Sequence, residues 1–136
     1  MISKKLLLIL SLIIFFILLF VSWYDFYVDN KVTVFAKADK IEVLDSKSSK
    51  PKFIYDKNII KTLTNFLSSH NGGWQTIVSY HPAVNTDLVF YKDGKIIGSF
   101  GMSESYVTIE SSVYFKELSA TEIDKIYNIV QVTKRS

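Results

Sequence analysis

LVFYKDGKIIGSF, residues 88–100, decides the fold. Leu88 and Phe90 alternate with Val89 and Tyr91, the period of two that sends successive side chains to opposite faces of a strand. Residues 96–100 form the second arm, and between the arms stand Lys92, Asp93, Gly94 and Lys95. Asp-Gly is the favoured centre of a two-residue hairpin turn, so two antiparallel strands meet here.

Working outward, residues 106–110 and 113–116 read as a second hairpin turning at Ser111 and Ser112. Upstream, 74–80 is rich in aromatic and β-branched residues, Pro82 ends it, and 85–87 turns the chain. These strands form an antiparallel meander. Alternation places Leu88, Phe90, Val107, Ile109, Val113 and Phe115 on a core face and Tyr91, Tyr106 and Tyr114 together on the outer face. Tyrosine supplies a large amphipathic contact area at small entropic cost, so those three rings are the candidate partner-binding face. Tyrosine also has good β propensity, and the competing account has the same rings shielding a half-exposed sheet.

Helices flank the meander. Asp56 is placed as an N-cap, and Ile59, Ile60, Leu63, Phe66 and Leu67 recur at helical spacing until His70, Asn71, Gly72 and Gly73 stop the pattern. Ser119, Ala120, Thr121 and Glu122 spell a capping box, after which Ile123, Ile126, Tyr127 and Val130 give one apolar face, with an end near Val132. Before the first helix, 32–36 and 41–44 read as extended segments, and 46–52, SKSSKPK, as a loop. The expected order is β-α-β-β-β-β-α, an α+β domain of two layers with both amphipathic helices on one face of a mainly antiparallel sheet.

Residues 6–24, LLLILSLIIFFILLFVSWY, stand apart. As a helix they reach about 28 Å, close to the hydrocarbon thickness of a bilayer. The division expected is a basic lead at 1–5, a transmembrane signal anchor at 6–24, a juxtamembrane stem at 25–31 and an extracytoplasmic domain at 32–136. Lys4 and Lys5 precede the span and Asp25 and Asp29 follow it, so the positive-inside rule keeps the N-terminus cytoplasmic. Trp23, Tyr24, Phe26 and Tyr27 sit where an interfacial aromatic belt belongs. A cleaved signal peptide needs small residues at its cut, whereas Ser22 is followed by Trp23, Tyr24 and Asp25, and Ala36-Lys37-Ala38 lies far beyond the apolar core.

Composition narrows the chemistry. The 136 residues hold 16 Lys and Arg against 13 Asp and Glu, a balance that does not suggest nucleic acid. With no cysteine, disulfides, thiolate metal sites and lipid attachment through an N-terminal cysteine are closed. The positive excess is local, at Lys47, Lys50, Lys52, Lys57 and Lys61. Those five are a solvated surface or a contact for anionic headgroups or an acidic partner.

Catalytic candidates are sparse. His70 and His81 fit no zinc spacing, and His70 suits a helix C-terminus, where the dipole favours a cation. No serine lies in a nucleophile elbow, and Gly72-Gly73 precedes a strand, unlike a phosphate cradle. Glu104 and Glu110 read as exposed acids. Neither a cofactor nor a metal is expected, and the chain is read as no enzyme. The plan of a signal anchor and one small α+β domain resembles that of small bacterial envelope proteins, which implies the bacterial cytoplasmic (inner) membrane as its location. The expected function is that of a single-pass, membrane-anchored binding or interaction domain with an envelope protein partner. An inhibitor or immunity-type protein acting in the periplasm is the first alternative, and an enzyme using His81 and Asp87 the second.

Overall fold

The computed structural model describes residues 2–70, 72–76, 83–109 and 114–130. A long helix α1 (Lys4–Phe35) leads into β1 (Lys40–Asp45), β2 (Lys52–Ile54), α2 (Lys57–Ser68), β3 (Gln75–Thr76), β4 (Thr86–Lys92), β5 (Lys95–Met102), β6 (Tyr106–Ile109), β7 (Tyr114–Glu117) and α3 (Ala120–Ile129). The seven strands form one antiparallel sheet in the order β2-β1-β4-β5-β6-β7-β3. The α+β class and the two layers are as expected; β2 is an additional edge strand.

The β4–β5 hairpin turns at Asp93 (φ 50°) and Gly94 (φ 75°), both left-handed, as a tight two-residue turn requires. Farther along, the register shifts between Phe90, opposite Gly98, and Tyr91, opposite Ile96, which leaves Ile97 as a bulge. Registers across the sheet align Val43 with Leu88, Leu88 with Phe100, and Phe100 with Ile109. All four are buried and point into the layer of helices.

Both amphipathic helices start where their caps predict. Asp56 accepts from the Asn58 amide at 2.8 Å. Ser119 accepts from the Glu122 amide at 3.2 Å while Glu122 Oε2 accepts from the Ser119 amide at 2.8 Å, closing the capping box. Ile60, Leu63 and Leu67 of α2 and Ile123, Ile126, Tyr127 and Val130 at α3 are buried. Thr64, buried among them, returns its hydroxyl to the Ile60 carbonyl at 2.9 Å.

The largest departure from expectation is at residues 32–36. Residues 32–36 are not a strand: α1 continues through the stem as one helix to Phe35. Val28, Val32 and Phe35, at i, i+4 and i+7, form a single buried stripe, whereas residues 4–23 are exposed on every side. Thr33 is accommodated in the helix by a bond from its hydroxyl to the Asp29 carbonyl at 3.0 Å. Packing of that stripe outweighs the β propensity of Val32, Thr33 and Val34. The helices then lie side by side, α1 against α2 and α2 against α3.

Candidate functional site

Every second residue of the sheet faces away from the helices. One row crosses the strands as Leu44, Asp87, Gly101, Thr108, Phe115 and Gln75, and a second holds Lys40, Tyr91 and Ile96. Tyr91 therefore lies on the outer face, as its alternation predicts. Its hydroxyl donates to Glu42 Oε2 at 2.6 Å, and that carboxylate, with some burial, raises the phenol above its ordinary pKa. Lys40 places its ammonium 3.9 Å from the Tyr91 ring centre and 5.5 Å from that of Phe53. Phe53, Tyr55 and Ile96 are exposed around this ladder. Sequence reading missed Phe53 and Tyr55 because Pro51 and the serine-lysine run before them resemble a loop; the signal was the alternation of Phe53, Ile54 and Tyr55.

Tyr106 is half-buried, and its hydroxyl donates to the Ala83 carbonyl, fastening the segment before β4 over the sheet. Tyr114 does not join this face. It pairs with Ile109, so it points toward the helices, where its ring meets Tyr24 at 5.8 Å and Tyr27 at 6.3 Å. Phe115, opposite Thr108, takes the outer side and is half-buried rather than core. Phase was lost between β6 and β7: one residue of difference there inverts every side chain of the second strand. Val113 and Glu110 lie outside the described residues.

Among the lysines, Lys47, Lys50, Lys57 and Lys61 are exposed, the last two one turn apart on α2. Lys52 has a structural task as well, donating from Nζ to the Val130 carbonyl at 3.1 Å, where the negative end of α3 favours a cation.

His70 ties two helices together. Its Nδ1 lies 2.8 Å from the Phe66 carbonyl and its Nε2 3.0 Å from Glu122 Oε1. The carbonyl can only accept, so Nδ1 carries the proton there. Bonds from the Ser119 backbone and side chain, then the nearby His70, hold the Glu122 carboxyl below the usual range. His81 lies outside the described residues. Asp87 is half-buried on the outer face, and burial raises its carboxyl pKa. A methyl group added at Gly101 would stand 2.4 Å from Thr108 Oγ1 and 3.0 Å from Asp87 Oδ1, so glycine is required for this part of the sheet to close up. Among the described residues, no three His, Cys, Asp or Glu side chains converge as a metal site would need.

A concavity lies where α1 meets the sheet. Phe20, Val21 and Tyr24 form one wall of an open cleft of about 500 Å³, with Gly73, Trp74, Gln75 and Thr76 opposite. The Gly72 amide, donating to Asp29 Oδ1 at 3.2 Å, anchors the segment before β3 to α1. Trp74 is buried, and Lys116 Nζ lies 5.8 Å from its ring centre.

No protein-family model matches the chain, and no curated protein matches it. Among solved structures it is similar to a thioesterase-like protein from Clostridium sporogenes ATCC 15579, with 14% sequence identity over 68% of this chain and 93% of that one. The TM-score is 0.40, a likeness too slight to transfer any chemistry.

Proposed function

We propose that this protein is a single-pass, membrane-tethered interaction domain held on the outer side of a bacterial cytoplasmic membrane, where its open sheet face around Lys40, Phe53 and Tyr91 binds an envelope protein partner. The observation that carries the reading is that α1 is both the apolar segment and a core element. Residues 4–23, exposed and apolar after the two lysines, are about 30 Å long at the helical rise, the thickness of a hydrocarbon core. Five to twelve residues later the same helix buries Val28, Val32 and Phe35 in the domain. A signal peptide removed after Ala38 would take those three side chains with it. Retention as an anchor keeps the core intact, and the basic lead against Asp29 sets the N-terminus inside.

On the sheet face, exposed Phe53, Tyr55 and Ile96 around a lysine held between two rings match the aromatic and cationic character of binding hot spots. The reading is tested by alkaline phosphatase fused to the C-terminus, which should be active, with full-length protein in the membrane fraction. An inactive fusion, or a shortened soluble form beginning after Trp23 or Ala38, overturns it.

A further inference from the structure

We infer that the cleft between α1 and the Gly73–Thr76 segment is a lipid site, taking an acyl chain of a bilayer phospholipid from the leaflet on the domain side. This rests on the membrane-tethered reading above.

The position of the cleft argues for this occupant. Phe20 and Val21 belong to the uniformly exposed apolar part of α1, and Tyr24, one turn on, is the first residue the domain begins to cover. One wall of the cleft is thus the surface of the span itself near its domain-side end, the depth at which the membrane-tethered reading puts the boundary of headgroups and chains. Left to solvent, a cleft of about 500 Å³ would be filled by several water molecules. Water placed against Phe20 and Val21 at that depth finds few partners, and polar groups there are costly to leave unsatisfied.

The lining also fits an amphiphile. Phe20 and Val21 offer hydrocarbon on the helix side, while Gln75 and Thr76, both exposed, offer hydrogen-bonding groups on the sheet side. Among the described residues, none of the lining side chains is charged at neutral pH, so these groups grip the neutral chain and glycerol region and do not select the headgroup. Its volume lies within the roughly 300–1,000 Å³ usual for sites that enclose a small ligand. A lipid seated there would fill the angle between span and domain and hold the sheet at a fixed tilt to the bilayer.

The tryptophans supply the test, because the chain has two, Trp23 and Trp74. Full-length Trp23→Phe protein, in vesicles of dioleoylphosphatidylcholine containing a phospholipid brominated along one acyl chain, reports Trp74 alone. Strong quenching of Trp74 is expected, most of it lost in Trp23→Phe/Thr76→Phe, where a ring fills the cleft from the sheet side. Val21→Phe fills it from the helix side and should act in the same way, which covers a misfolded Thr76 variant; far-ultraviolet circular dichroism checks each fold. No quenching of Trp74, or quenching that neither ring reduces, overturns the lipid site. Dependence of Trp74 quenching on dilution of the protein in the bilayer would overturn it in favour of a second copy in the cleft. The difference between wild type and Trp23→Phe reports Trp23; if Trp23 too escapes the bromines, the membrane-tethered reading itself has failed.

Discussion

Phe35, on the last turn of α1, stacks face to face on Phe90 at the centre of β4, with ring centroids 4.2 Å apart and planes 6° apart. Gly98 makes room for it: a methyl group at that position would stand 2.3 Å from Phe35 Cε1. The helix that begins as an apolar segment is thus keyed into the sheet by a ring on one side and a missing side chain on the other.

Removal of that key should be expensive. Phe35→Ala should cost about 3–5 kcal/mol, the usual range for a buried aromatic ring. Chemical denaturation of the detergent-solubilised protein measures it, and a cost under about 1 kcal/mol would mean the ring is not core. Truncation gives a companion test: a chain begun at Tyr24 should melt cooperatively, whereas one begun at Ala36, lacking Val28, Val32 and Phe35, should not.

Gly98→Ala should destabilise by about 1–3 kcal/mol through overpacking. Because the clash is with Phe35, pairing it with Phe35→Leu should recover part of the loss. A double-mutant cycle measures the coupling, and strict additivity would show that the two positions do not touch.

Glu122 and Asp87 should act on stability in opposite senses. Glu122 has its carboxyl lowered from the ordinary 4.5 by Ser119 and then His70, so its contribution is present above that value and is lost as the pH falls through the lower folded value. Glu122→Gln should flatten the acid limb of a thermal-melt profile, and Ser119→Ala should cost about 1 kcal/mol. Asp87 is raised above 3.8 by burial, so its effect favours folding while it is protonated and is lost as the pH rises through the folded value. Asp87→Asn should therefore raise Tm at pH 7 and lose that advantage below pH 3.8. A lower Tm at pH 7 would show that the carboxylate has a partner that stabilises its charge.

The three tyrosines should separate. Tyr91→Ser with Phe53→Ser should lower capture of a partner in pull-downs from detergent-solubilised envelopes while the melt stays close to wild type, because both rings are partly solvated. Tyr114→Ser should lower the melting temperature instead, since it removes the ring between Tyr24, Tyr27 and the sheet. Undiminished capture by the folded double variant would leave those rings as a cover for the sheet.

Where local chemistry dictates the answer, sequence was enough. Asp93-Gly94 permits a turn that few other pairs do, Asp56 and Ser119 with Glu122 satisfy amides within one turn of themselves, and the spacing of Ile123, Ile126 and Tyr127 defines a face without reference to any partner. The class of the domain followed from those elements and their order. The length and hydropathy of the apolar segment were equally legible, because both are properties of the chain itself.

Tertiary structure decided what depends on distant partners. Residues 32–36 have strand composition and become helix because Val32 and Phe35, with Val28, join the buried core, where Phe35 meets Phe90 and Gly98 far along the chain. Tyr114 faces inward because the β6–β7 register sets it opposite Ile109, a choice of phase that periodicity cannot make from one strand to the next. The cleft at Phe20 and Trp74 joins residues more than fifty positions apart, and neither side alone suggests a concave site. Propensity and capping act within a turn or two of helix, whereas register, burial and cavities arise only when separate segments compete for the same space.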